Sequence, residues 1–247
     1  MNHKSNLLSI LLAFFFIGLI GLLGLTQLAQ GQSIIKITSG GDAGPTSGTN
    51  WSISGTTLTA TGTANIQASV IETALSSGDL TVVSATGSEY RIQVSDPIDY
   101  TGATERTLTF GATHQILVYQ DISSTSAPLN VIIASEFDRT TNFTSTGEGV
   151  GLINSAITTN GGDVWIGGGA LTGSWNGHTV GVGAAMAGPN NGIGVDISGS
   201  SISTAGGDVR ILGTSKTRYT NEGPWVNSEG GISAFSAGAT INSGAGD

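Results

Sequence analysis

From Ile34 onward the chain alternates apolar with small polar residues in short bursts, separated by clusters of Gly, Asn, Asp and Ser. TLTATG (57–62), DLTVVSA (79–85), YRIQVSD (90–96), TLTFGA (107–112), QILVYQ (115–120), LNVIIAS (129–135), VGLINSAI (150–157) and DVWIGG (163–168) all follow this rule. Alternation with a period of two puts successive side chains on opposite faces of an extended backbone, so each burst predicts a short strand. One stretch departs. In NIQASVIETALSSG (65–78), Ile66, Val70, Ile71, Ala74 and Leu75 fall at helical spacing, and Gly78 is placed to cap the helix. The expected fold class is all-β with one short helix at most.

A phrase recurs. ITTNGGDVWI (157–166) returns as ISTAGGDVRI (202–211), and INSGAGD (241–247) begins it again; a Gly-rich lead precedes each copy. The offsets are 45 and 39 residues, and unequal offsets around a constant core predict a solenoid with insertions in its loops. The architecture that fits is a right-handed parallel β-helix, in which stacked coils bury a column of Val and Ile. Two coils per 45-residue unit are expected, with one long decorated coil as the alternative. Alternation points Val164, Ile166, Val209 and Ile211 inward, and Asp163 and Trp165 outward. The Asn-Gly-Gly and Ala-Gly-Gly steps should supply positive φ at a corner. Asp247 takes the place of Asp163 and Asp208, and the phrase halts before its apolar residues. The sequence therefore predicts repeats continuing beyond Asp247, with an open end that pairs with a partner as the alternative.

Composition narrows the function. With 39 Gly, no Cys and 10% charged residues, the chain carries neither a disulfide framework nor thiolate metal sites. Eight Lys and Arg against 17 Asp and Glu, a net charge of −9, exclude nucleic acid as a partner. At the N-terminus Lys4 precedes the apolar run Leu7–Leu25, and Ala29-Gln30-Gly31 places small residues for a cut before Gln32. This reads as an export signal, with a retained membrane anchor as the competing reading. The expected organisation is a signal peptide over 1–31, N-terminal capping and leading strands over 32–66, and β-helix coils over 67–247.

Candidate chemistry is sparse. Glu136 with Asp138, and Asp96 with Asp99, sit among turn residues; Arg106 and Arg139 are isolated, and His114 and His178 have no metal-ligand spacing. No nucleophile elbow occurs. GIGVDIS (192–198) is similar to a calcium-binding nonapeptide but lacks a tandem copy, so a corner of the coil is the plainer expectation. Asp163, Asp208 and Asp247 would stack as a column of solvated turn carboxylates, or bind a cation. Thr57, Thr59, Thr61 and Thr63 would line a solvated strand face, without stacked copies beside them. Trp165, Trp175 and Trp225 are the candidate ligand contacts, since an exposed aromatic face can stack on a sugar ring, with packing of Trp165 under the Gly-rich loop GGGALTGSWNG (167–177) as the alternative. No catalytic residue, cofactor or metal is expected, and the chain is not expected to be an enzyme.

From Trp51 onward the order TLTATGTANIQASVIETALSSGDLTVVSA, RIQVSDPI, TLTFGATHQILVYQDI, LNVIIAS and GVGLINSAITTNGGDVWIGGG resembles the large secreted adhesins with filamentous-haemagglutinin-like β-helices. It departs from them in lacking the Asn-Pro-Asn motif of two-partner-secretion domains, the nearest string, Pro189-Asn190-Asn191-Gly192-Ile193, being late and scrambled. The resemblance implies a secreted or cell-surface bacterial protein, the N-terminal part of a longer repetitive adhesin. Its implied partners are a host or environmental surface, glycans among them, and the outer-membrane secretion machinery. Self-association through an open β-helix end is expected too. A glycan-binding module and a β-helical carbohydrate-active enzyme are the alternatives.

Overall fold

The computed structural model describes residues 33–84, 90–136, 149–186, 193–217, 226–229, 232–233 and 239–243. They belong to one compact unit, Gln32–Asp247. The leader, 1–31, lies outside the described residues. Strands β1 (Ser33–Asp42), β2 (Ser47–Gly48), β3 (Trp51–Ser54), β4 (Thr57–Ala60) and β5 (Ala64–Ile66) precede helix α1 (Ala68–Ser77) and β6 (Leu80–Ser84). Then come β7 (Tyr90–Val94), β8 (Ile98–Tyr100), β9 (Arg106–Ala112), β10 (Ile116–Val118), β11 (Ile122–Ser124) and β12 (Leu129–Ser135). They are followed by β13 (Val150–Ile153), β14 (Ala156–Thr158), β15 (Val164–Trp175), β16 (His178–Gly183) and β17 (Ala185–Met186). Next are β18 (Val195–Ser198), β19 (Ser201–Ser203) and β20 (Val209–Ile211). The remaining strands are β21 (Gly213–Thr217), β22 (Val226–Glu229), β23 (Ile232–Ser233) and β24 (Thr240–Asn242). All eight bursts of alternation form strands.

The protein is all-β and rich in parallel pairing. A first sheet, in the order β5-β1-β7-β10-β13-β18-β23, is parallel throughout. A second, β8-β11-β14-β19-β24, is also parallel throughout. The third is mixed. Antiparallel β2-β3-β4 begins it, parallel β6-β9-β12-β15 continues it, and β15 then pairs antiparallel with β16 and parallel with β20. From β7 to β20 the chain visits the first, second and third sheets in turn, each strand beside its counterpart from the previous pass, except for the hairpin strand β16 and for β17, which joins β21 and β22 in a fourth sheet.

Register makes the columns. In the second sheet Ile98, Ile122, Ile157, Ile202 and Ile241 are consecutive partners. Ile92, Ile116, Val150 and Val195 align in the first sheet, and Leu108, Val131, Val164 and Val209 in the third. Strands about 4.8 Å apart bring these branched side chains into contact along each column. The inward residues of the three passes from β7 to β15 are buried. Each contributes about 1.5–3 kcal/mol of burial. Val164 and Ile166 face this core, and half-buried Val209 and Ile211 pack against it. Because Ile157 pairs directly with Ile202, the 45-residue unit is one pass through three sheets, not the two expected. The surplus residues build the β15–β16 hairpin.

The corner in the repeated phrase shows why its residues are needed. Asn160 (φ 51°) and Gly161 (φ 99°), like Ala205 (φ 52°) and Gly206 (φ 122°), take the left-handed turn. The second glycine is required for close approach instead. A Cβ on Gly162 would stand 2.4 Å from the Leu129 backbone, and one on Gly207 2.2 Å from the Gly162 carbonyl oxygen. Buried Thr159 and Thr204 close the corner by donating their hydroxyls to the carbonyls of Gly162 and Gly207. Ser124 and Ala127 do the same one pass earlier.

The N-terminal end of the stack is irregular. The first strand in sequence, β1, lies between β5 and β7. Helix α1 occupies the step between β5 and β6 where later passes place a strand of the second sheet. It buries Ala68, Val70, Ile71 and Leu75. Its Glu72 carboxylate accepts the Asp99 N–H at 2.9 Å, satisfying the edge of β8. Ile66 belongs to β5, and Gly78 is extended, giving its N–H to the Ala74 carbonyl at 3.1 Å.

Candidate functional site: the groove beside Trp175

The three candidate tryptophans do not converge. Trp165 points away from the main core, as alternation requires, yet it is only 1% exposed. It packs with Ile132, Ala134 and Val180 in a second apolar cluster beneath the β15–β16 hairpin. This corrects its nomination as a ligand contact, because the hairpin covers the face a ligand would need. The Gly-rich stretch after Trp165 allows the cover to sit close. Cβ atoms on Gly167 and Gly181 would meet the Trp165 ring at 2.6 and 2.7 Å. Trp225 lies outside the described residues.

Trp175 is half-buried at the end of β15 and lines a groove of about 780 Å³ with Asp208, Val209, Arg210, Ile211, Ile241 and Ser243. The hairpin tip places it there. Asn176 (φ 48°) and Gly177 (φ 81°) are the two left-handed residues that a tight two-residue hairpin demands. The Asn176 side-chain amide donates to Oδ2 of Asp163 at 2.9 Å and of Asp208 at 2.7 Å. His178 Nε2 stands 3.7 Å from the same Asp163 oxygen.

The half-buried Asp163 carboxylate therefore links neighbouring passes, while Asp208 stays exposed and accepts from the hairpin tip. Asp163 Oδ1 accepts the Asp208 N–H at 2.8 Å, and Asn130 Oδ1 accepts the Asp163 N–H at 2.8 Å. Asp79 Oδ1 accepts the Thr107 N–H at 2.9 Å in the same column. The sequence alone suggests bonding within the turn. The bond actually runs to the residue 45 positions on, and the repeat offset was the signal for it.

Other candidates scatter. Asp196 of GIGVDIS lies within β18 and accepts the Ser198 hydroxyl at 2.6 Å, so it sits in a strand and not at a corner. Thr57, Thr81 and Thr109 are register neighbours, so Thr57 does have stacked copies, contrary to the expectation. Asp99 accepts the Ser123 hydroxyl. Arg106 donates to the carbonyls of Leu75 and Glu105, both at 3.1 Å. Asp138, Arg139 and Asp247 lie outside the described residues. Glu136 and His114 are buried at the crossing from the third sheet to the first. Burial, and then the Arg91 guanidinium, lower the His114 imidazole from 6.5 to about 4. Among the described residues no group of three or more acids and histidines converges to hold a metal ion.

In the groove, Asp208 and Arg210 project from one face of β20, while Val209, Ile211 and Ile241 form an apolar floor. The arrangement can take an extended, partly apolar ligand beside a carboxylate and a guanidinium. Its described residues contain no nucleophile–base pair. No family model, no curated protein and no solved structure matches the chain.

Proposed function

We propose that the chain is an exported structural or adhesive protein of the cell surface, folded as a right-handed parallel β-helix. The observation that carries this reading is the cyclic order of the strands, with in-register Ile and Val columns from pass to pass. Parallel crossovers within a sheet are right-handed in nearly all proteins, which supplies the hand. The apolar leader before Gln32 and the resemblance to filamentous-haemagglutinin-like adhesins support export and display. A stack of passes repeats similar shallow chemistry along its length, so weak contacts add through multivalency. The secretion machinery and an environmental or host surface, including its glycans, are the partners this reading implies.

The test is attachment of cells displaying the chain, together with the mass of the exported product. Export with cleavage yields a chain beginning at Gln32. Trp175→Ala should lower attachment less than about threefold, since one site among many carries little of the total. Removing residues 157–201 joins Ala156 to Ile202, whose column already continues, and should lower attachment more. Abolition by the single substitution, or turnover of a polysaccharide by the purified chain, would overturn the proposal.

A further inference from the structure

At the N-terminal end of the stack a groove of about 310 Å³ opens between the last turn of α1 and the β3–β4 hairpin. That volume is at the lower end of those that hold small ligands. Buried Leu80 and half-buried Ile53 and Ala74 give it an apolar floor, while Thr56, Thr73, Ser77 and Asp79 supply polar groups. Its walls are fixed by the stack. The Thr56 carbonyl accepts the Thr81 N–H at 2.8 Å, and Asp79 Oδ1 accepts the Thr107 N–H at 2.9 Å. Gly78 keeps the groove open: its backbone is extended, and a Cβ there would meet nothing closer than Thr56 Cγ2 at 3.9 Å.

Charge selects the ligand. Among the described residues that line the groove, Asp79 is the one charged group. The last turn of α1 contains no basic residue, so the partial negative charge of the helix end adds to that of the carboxylate. Arg106 donates to the Leu75 carbonyl at 3.1 Å but does not line the groove. A carboxylate offers about four lone-pair sites, and the Thr107 N–H uses one. An ammonium brings three N–H donors and no acceptor, which suits a carboxylate flanked by hydroxyl oxygens. Its alkyl stem can lie along the apolar floor. An anion would instead face Asp79 and the negative helix end, and a hard metal ion would find a single carboxylate where it needs several oxygen ligands.

We propose that this groove binds a small primary amine, its ammonium on Asp79 and the hydroxyls of Thr56 and Ser77, its alkyl stem over Ile53, Ala74 and Leu80. The site is independent of the adhesive reading. Titration of the purified chain with n-butylammonium, followed by amide chemical shifts, should give saturable changes at Thr56, Gly78, Asp79 and Leu80. The Kd should be on the order of millimolar, since a single exposed ion pair contributes little. n-Butanol, which has the same stem without the charge, should bind about fivefold more weakly. Asp79→Asn keeps an oxygen for the Thr107 N–H and should weaken butylammonium about fivefold while leaving butanol unchanged. Gly78→Leu fills the groove without backbone strain and should abolish both. A capped lysine amide, with the same ammonium on a bulkier body, should bind more weakly than butylammonium; tighter binding would overturn a small amine as the occupant. If Asp79→Asn loses the fold, the preference for butylammonium over butanol and its loss in Gly78→Leu decide. Equal binding of the amine and the alcohol, shifts confined to other residues, or an affinity indifferent to Gly78→Leu would overturn the proposal.

Discussion

Between the second and third sheets the chain turns within seven to ten residues, counted from Ile98 to Leu108, Ile122 to Val131, Ile157 to Val164 and Ile202 to Val209. Between the third and first it takes six to twenty-nine, from Phe110 to Ile116 at the shortest and Ile166 to Val195 at the longest. The first crossing varies little because its backbone stacks directly on the crossing below. Where it is seven residues long, Gly162 and Gly207 pack against the backbone beneath them, and the hydroxyls of Thr159 and Thr204 close the turn. The second crossing carries the insertions, including the β15–β16 hairpin, which is accommodated by a satellite cluster of its own around Trp165. It is also where ionisable groups are buried. Constancy thus marks backbone-to-backbone stacking, and variation marks the side on which new surface can be added.

Substitution at the constant crossing should have the largest effect. Gly162→Ala pushes a Cβ into the Leu129 backbone, and we expect a loss of about 3 kcal/mol or more, read from the urea unfolding midpoint. Four Gly and Ser residues inserted between Asn190 and Asn191, in the longest variable crossing, should cost under ~1 kcal/mol by loop-closure entropy. Equal losses at the two places would erase the distinction.

His114 tests the variable crossing through pH. Its folded pKa of about 4 lies below the unfolded 6.5, so the unfolded state binds the proton first as pH falls. Stability is therefore complete above pH 6.5, falls through the window down to about pH 4, and changes no further from this group below it. The loss amounts to at most ~3 kcal/mol. His114→Gln should flatten that slope in unfolding measured at several pH values, and an unchanged slope would assign the effect elsewhere.

Smaller losses than at Gly162 are expected for single hydrogen bonds of the same crossing. Thr159→Val and Asp163→Ala should each cost about 1–2 kcal/mol by leaving a polar partner unsatisfied. Asp163→Asn keeps a carbonyl oxygen for the Asp208 N–H and should cost less than Asp163→Ala. Faster hydrogen exchange at the Asp208 amide in Asp163→Ala, but not in Asp163→Asn, would locate the bond.

By itself the sequence determined what depends on local geometry. Period-two bursts become strands because alternation is a property of extended backbone, and Val164 and Ile166 turn inward for the same reason. The Asn-Gly-Gly and Ala-Gly-Gly corners were legible because left-handed φ is a property of the residues that tolerate it. Tertiary structure alone decided what depends on neighbours distant in sequence. Ile157 meeting Ile202 makes the repeat one pass, and β1 enters between β5 and β7, a pairing no local pattern encodes. Alternation sends Trp165 outward and the Gly-rich loop after it offers a cover, but it took the paired hairpin to bury it. The Asp163 carboxylate could have served its own turn. The stack instead brings the Asp208 N–H within 2.8 Å, and that bond rests on parallel register, a relation between passes that no single pass contains.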